Sequence, residues 1–239
     1  MQNGGQEEVY DINYNGTSAS ELKVLVKQRP NIPAPARKRN LIEVSGRDGE
    51  LVKFDGTYED IKISIEFNYI TKTGSWAEIY RRVKKWLYSQ GNQELSFSDD
   101  PEFFYKVKDV EIGANERMSL RTGKFQASFL CEPYQYAASG KREHSVDEVR
   151  YNHFEASHPK YLISGTGNCT LTVNGNSVKI TVDEHIVLDT EKMLAYKNET
   201  LQNTNVSGDY EAMYLTPGTN EIRITDGFTV SIIPNWRCL

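Results

Sequence analysis

From Ile61 to Phe67 the chain places Ile61, Ile63, Ile65 and Phe67 on every second position, with Lys62, Ser64 and Glu66 between them. A period of two gives a strand with one dry face and one wet face. Upstream, RPNIPAPARKRNLIEVSGRDGELVKFDGTY reads as a basic, proline-studded loop, a short strand, a Gly-Arg-Asp-Gly turn and a second strand. Asp55-Gly56-Thr57 then reads as a further turn. Pro30, Pro33 and Pro35 lack N–H donors and cannot sit inside a sheet. Asp-Gly pairs supply the left-handed conformations of tight turns.

The period changes to that of a helix after Ser75. Trp76, Ile79, Tyr80, Val83, Trp86 and Leu87 recur at helical spacing. Ser75-x-x-Glu78 is predicted to form a capping box, and Gly91 to end the helix in the left-handed conformation. The opposite face carries Arg81, Arg82, Lys84 and Lys85. It reads either as a solvated face or as a contact with an acidic neighbour. Strands are predicted again at Glu94 to Phe97, Phe103 to Ile112 and Arg121 to Tyr134, the last with a break at Thr122-Gly123.

Ala137 to Arg150 is polar and without period, so it reads as a linker. Beyond it the pattern is all strand and turn. Asn168 to Val182 is a hairpin with Asn174-Gly175 as its turn. Further strands are expected at His185 to Leu188, Met193 to Tyr196, Glu211 to Leu215, Asn220 to Thr225 and Phe228 to Ile233. Short strands at this spacing argue for a β-sandwich.

Composition excludes more than it selects. A chain of 239 residues, 38% hydrophobic and 26% charged, suits an ordinary globular protein with two domains. A net charge of −5 disfavours nucleic-acid binding through bulk positive charge. No apolar run is long enough for a bilayer, and the acidic start MQNGGQEEVYD is unlike a signal peptide. No membrane role and folding in a cytoplasm are therefore expected. Cys131, Cys169 and Cys238 show no Cys-x-x-Cys spacing and read as buried free thiols, in neither a disulfide nor a metal site.

Catalysis has little support in the sequence. Glu59-Asp60, Asp99-Asp100 and Asp183-Glu184 are neighbours in turns or at strand ends, whereas glycosidases need carboxyls facing each other across a cleft. His144, His153, His158 and His185 form no His-Glu-x-x-His pattern. Gly165-x-Gly167 leads into a strand, unlike a dinucleotide loop. No catalytic residue, cofactor or metal is expected. Trp236 and Tyr210 are the aromatic candidates for stacking on sugar, and buried anchoring is the expected role of Trp236. Arg29, Arg37, Lys38 and Arg39 need water or acidic partners, so they are read with Arg81, Arg82, Lys84 and Lys85 as an assembly interface.

In order and spacing the chain resembles the distal tail proteins (Dit) of long-tailed phages infecting Gram-positive bacteria. The first half carries the resemblance in Trp86-Leu87, Ser98-Asp99-Asp100, Tyr105-Lys106-Val107-Lys108 and Cys131-Glu132-Pro133-Tyr134. The second half carries it in LTVNG at Leu171 to Gly175, Leu188-Asp189, LTPGTNEIRIT at Leu215 to Thr225, and IPNWR at Ile233 to Arg237. The resemblance implies a mainly β protein: an N-terminal ring-forming β domain with one packed helix (1–136), a linker (137–150) and a C-terminal galectin-like β-sandwich (151–239). It further implies a structural protein of the virion tail tip, assembled in the host cytoplasm and closing into a hexameric ring. The partners it implies are the tail tube protein, the tail-associated protein and receptor-binding components. A carbohydrate-binding module for the host wall is the alternative.

Overall fold

The computed structural model describes residues 9–71 and 75–239. It is mainly β, as expected, and divides into two compact units, one running to Gln135 and including Leu239, the other from Tyr136 to Cys238.

The first unit contains β1 (Ile12–Tyr14), β2 (Thr17–Ser18), β3 (Val24–Val26), β4 (Arg37–Ile42), β5 (Leu51–Tyr58), β6 (Ile61–Ile70), α1 (Trp76–Leu87), β7 (Glu94–Phe97), β8 (Asp100–Ile112), β9 (Glu116–Arg117) and all but the last two residues of β10 (Thr122–Ala137). Its main sheet runs β2-β1-β7-β8-β10-β6-β3, with β9 on β10. The alternation in β6 has the expected result: Ile61, Ile63, Ile65, Phe67 and Tyr69 are buried and Lys62 and Ser64 exposed. Ten consecutive pairs with β10, from Thr122↔Ile70 to Cys131↔Ile61, fix that register. A one-residue slip would turn every one of these apolar side chains to water.

α1 buries Ile79, Val83, Trp86 and Leu87 in the same core, each contributing on the order of 1.5–3 kcal/mol. The Trp86 indole N–H donates to the Tyr14 carbonyl at 2.9 Å, and its ring meets Tyr14 and Phe67 edge-on. Three local expectations fail here. Ser75 stands at the N-cap with extended backbone, but its hydroxyl makes no capping hydrogen bond. The helix ends at Tyr88 rather than through a left-handed Gly91; the chain is held just beyond by Asn15, which donates to the Ser89 carbonyl and accepts the Gln93 N–H. Gly123 interrupts nothing: it lies inside β10, where a β-carbon would fall 2.3 Å from the Tyr69 hydroxyl.

Asp55-Gly56-Thr57 is not a turn either. Those residues continue β5, and the irregular register between Arg37 and Arg39 absorbs the kink. Glu59 and Asp60 make the connection to β6, with the Glu59 N–H bonded to the Ala36 carbonyl.

The second unit contains α2 (Val146–Val149), β11 (Tyr151–Asn152), β12 (Lys160–Val173), β13 (Asn176–Asp189), β14 (Leu194–Lys197), β15 (Thr200–Leu201), β16 (Val206–Ser207), β17 (Gly218–Thr219), β18 (Ile222–Ile224) and β19 (Thr229–Ile233). The hairpin expected at Asn174-Gly175 forms, with both residues at positive φ. It is longer than its sequence signal: β12 and β13 pair in 14 registers, from Val173↔Asn176 to Lys160↔Asp189, taking in His185 to Leu188. β14 extends the sheet beside β13; β18 and β19 pair with β12, and β16 with β13. Tyr161, Ile163, Leu171, Val173, Ile180 and Leu188 fill the core.

Glu211 to Leu215 is not a strand. Its one ladder contact is an isolated bridge from Leu215 to Ser157. Beyond it the Asn220 side chain accepts from the Thr216 N–H and donates to the Thr216 carbonyl, curling the chain into a loop. The stretch read as a linker, 137–150, is ordered by hydrogen bonds. His144 forms a bridge with Ile232, and Ser145 donates from backbone and hydroxyl to Glu148, which opens α2. Those two bonds hold the Glu148 carboxyl below its usual range.

Candidate assembly surfaces

β4 and β5 form a ribbon of their own, outside the main sheet. Every residue of β4 and of the connecting turn is exposed, as is all of β5 except half-buried Tyr58. Leu41 pairs with Val52, and the next rung pairs Ile42 with Leu51. Adjacent rungs point to opposite faces, so both faces of the ribbon present apolar side chains. Phe54, 55% exposed, adds an aromatic ring beside Arg37, whose guanidinium lies 6.0 Å from the ring centre. Asn40 donates to the Asp55 carboxylate across the strands. Two-stranded ribbons without a packed face are marginal in water.

The proline-studded loop leads into it. Arg29 is held within the subunit, with its Nε 3.0 Å from Asp99 and its guanidinium 4.9 Å from the Tyr10 ring centre. Arg37, Lys38 and Arg39 lie in β4 and are exposed. The sequence thus grouped two situations: one arginine is already paired, and three cations sit at the base of the ribbon. Pro30 and Pro33 stand over the outer face of β6, leaving an open polar cleft of about 420 Å³ with Lys62, Ser64 and Glu66 on its floor. The Lys27 ammonium hydrogen-bonds Glu66 there and holds that carboxyl below its usual range.

Arg81, Arg82, Lys84 and Lys85 are all exposed on α1, as the helical period requires. The Lys84 ammonium lies 5.4 Å from the Tyr80 ring centre. These four lie on α1 and the cations Arg37, Lys38 and Arg39 on β4, so the residues read together from the sequence belong to separate elements.

A second apolar surface, which sequence reasoning missed, lies at the end of β6 and the β9–β10 connection. Ile70, Met118 and Leu120 are 66%, 73% and 70% exposed. Backbone bonds gather them: Ile70 pairs with Thr122, the Met118 N–H reaches the Thr122 carbonyl, and the Trp76 N–H reaches Leu120. Arg117 and Arg121 flank the patch, the Arg117 guanidinium lying 4.9 Å from the Trp76 ring centre. The available signal was in ERMSLR itself: two large apolar residues between arginines, out of phase with the strand period.

The alternative chemistries find their residues otherwise engaged. Trp236 is buried and stacked on Phe154, with ring centres 5.9 Å apart. The Tyr210 hydroxyl donates to the Met193 carbonyl. Each neighbouring carboxylate pair has a cation: Asp60 takes Lys108, Asp99 takes Arg29, and Lys197 bridges Asp183 and Glu184. Burial, with Asp60 and Glu132 nearby, pushes the Cys131 thiol up to about 12, far from a nucleophile's range. Among the described residues no group of His, Cys, Asp or Glu is arranged to hold a metal, and no helix is long and apolar enough to cross a membrane.

Residues 16–131 match the family model of the phage tail protein RIFT-related domain. In fold the chain is similar to the Dit protein of phage SPP1, a structure described as a paradigm of the hub adsorption apparatus in phages infecting Gram-positive bacteria. The TM-score is 0.68 over 97% of this chain and 100% of that one, at 13% identity. No curated protein matches the sequence. In fold the chain is Dit-like and β-rich, and residues 16–131 are similar to a phage tail protein domain, in agreement with the resemblance read from its sequence.

Proposed function

From a chain whose residues 16–131 match a phage tail protein domain and whose fold is Dit-like, we propose a structural baseplate-hub component of the virion tail tip. Six copies close into a ring through the first domain, residues 1–136, which joins the tail tube protein on one side and the tail-associated protein on the other. The second domain, residues 151–239, holds receptor-binding or other peripheral proteins. The role is architectural and not enzymatic.

One observation carries the reading. The first unit completes a packed core and still leaves a 22-residue ribbon, Arg37 to Tyr58, exposed at every position but Tyr58, with apolar residues on both faces. Contiguous exposed apolar surface marks an interaction site. Arg37, Lys38 and Arg39 at its base, Arg29 in the loop before it, and Arg81, Arg82, Lys84 and Lys85 on α1 are the proposed polar rim of the assembly contacts.

Light scattering across a wide concentration range, with and without the tail partners, tests the ring. The expected species is about 164 kDa, six times the 27.3 kDa chain. A chain that stays monomeric and never joins those partners overturns the hub reading.

A further inference from the structure

We propose that the proline-studded segment, residues 28–35, is a guard: it lies along the open edge of β6 and keeps that edge from pairing with β6 of a second copy. The proposal is independent of the ring reading, because it concerns a contact that the chain has to avoid.

Register defines the edge. β10 takes one side of β6 along its whole length, through the odd-numbered residues, since the Thr71 N–H, next beyond the ladder, donates to the Arg121 carbonyl. The even-numbered residues face the other side. There β3 pairs with Phe67 to Tyr69, and the Lys27 N–H donates to the Glu66 carbonyl. Residues 28–35 then run on beside β6 until the Glu59 N–H meets the Ala36 carbonyl. Among the described residues no backbone hydrogen bond joins this segment to residues 60–65. Pro30, Pro33 and Pro35 have no N–H to give. The segment stands off above the open cleft floored by Lys62, Ser64 and Glu66. The edge-facing N–H and C=O groups of Lys62 and Ser64 are thus left without a strand.

The sequence of β6 makes such an edge a hazard. Residues 61–67, IKISIEF, carry no proline or glycine, no net charge and large apolar residues in strict alternation. Segments of this kind pair with their own copies wherever an edge is open. This one is also self-complementary. In an antiparallel pair centred on Ser64, Lys62 of each copy falls opposite Glu66 of the other, and the free edge groups of both strands meet. A proline-bearing cover gives the edge no partner and keeps other strands away. Arg29, ion-paired with Asp99, fastens the cover near its start.

Hydrogen exchange on the full chain, resolved by residue, tests the edge. The amides of Lys62 and Ser64 should exchange much faster than those of Ile63 and Ile65, which face β10. Equal protection of all four would mean that the edge is already paired, and would overturn the proposal. Proline replacement tests the guard. Full-length Pro30→Ala/Pro33→Ala/Pro35→Ala frees the segment and should lose soluble protein on incubation to species larger than any the parent chain forms. Lost stability alone also produces aggregates, so the decisive protein adds Ser64→Pro, which removes one edge donor and leaves the β10 ladder intact. It should restore the parent's solubility without raising the melting temperature. If the triple variant stays as soluble as the parent, or Ser64→Pro leaves its losses unchanged, residues 28–35 are not a guard.

Discussion

Gly165 shows how one position can constrain a sheet. It lies in β12 at φ +150°, a conformation that side chains rarely adopt, and a β-carbon there would fall 2.3 Å from Cδ1 of Phe228. The ring covers the glycine as aromatic residues cover bare backbone in sheets. Gly165→Ala is expected to destabilise the protein by about 1–3 kcal/mol, through strained φ and the displaced ring together. In a Phe228→Ala background the steric part disappears, so the same substitution should cost measurably less. Urea unfolding of the four proteins separates the two contributions. Equal cost in both backgrounds would show that the ring plays no part.

At the scale of elements, the ribbon base offers a separation of charge from stability. Arg37, Lys38 and Arg39 are exposed on β4, and no buried ion pair involves them. Replacing all three by serine should move the melting temperature by no more than exposed substitutions ordinarily do, within about 0.5 kcal/mol. Assembly should weaken, with the gap from the parent chain widest at low salt and narrowing as salt screens the charges that remain in the parent. A sharp fall in melting temperature with assembly untouched would make the three residues structural. Elements whose side chains alternate by burial were legible in advance: β6, α1 and the Asn174-Gly175 hairpin follow directly from period and turn chemistry. The misreadings share a physical origin. Asp55-Gly56 has turn chemistry but lies within β5, where Asp55, Gly56 and Thr57 bulge opposite the single residue Lys38 of β4, an irregularity that sequence does not announce. Glu211 to Leu215 has strand-like composition, but only Leu215 finds a ladder partner, Ser157. Leu41, Val52, Met118 and Leu120 look like core residues on composition alone. Only tertiary packing shows that they are exposed among the described residues, which is why the apolar patch of Ile70, Met118 and Leu120 was missed and the ribbon was seen only as a basic loop with strands.

For the whole molecule, the question is whether the second unit holds a protein or a sugar. Its candidate stacking residue, Trp236, lies under Phe154 in the fold, and the Tyr210 hydroxyl is tied to the backbone at Met193. Between Val149 and Leu239 there are seven Lys and Arg against ten Asp and Glu, so an anionic wall polymer would meet net repulsion. A Dit-like fold by itself is no evidence of sugar binding, since function lies in sites and not in architectures. The full chain is therefore expected to show no saturable binding to purified host wall polysaccharide in calorimetry, at either low or physiological salt. The same preparation should bind a neighbouring baseplate protein with an affinity that does not change when Tyr210 is replaced by alanine. Saturable polysaccharide binding that an exposed aromatic residue controls, such as Tyr151 or Tyr214, would move the second unit from adaptor to adhesin. The assembly role proposed for the first unit would be unaffected, because the exposed ribbon lies before Gln135.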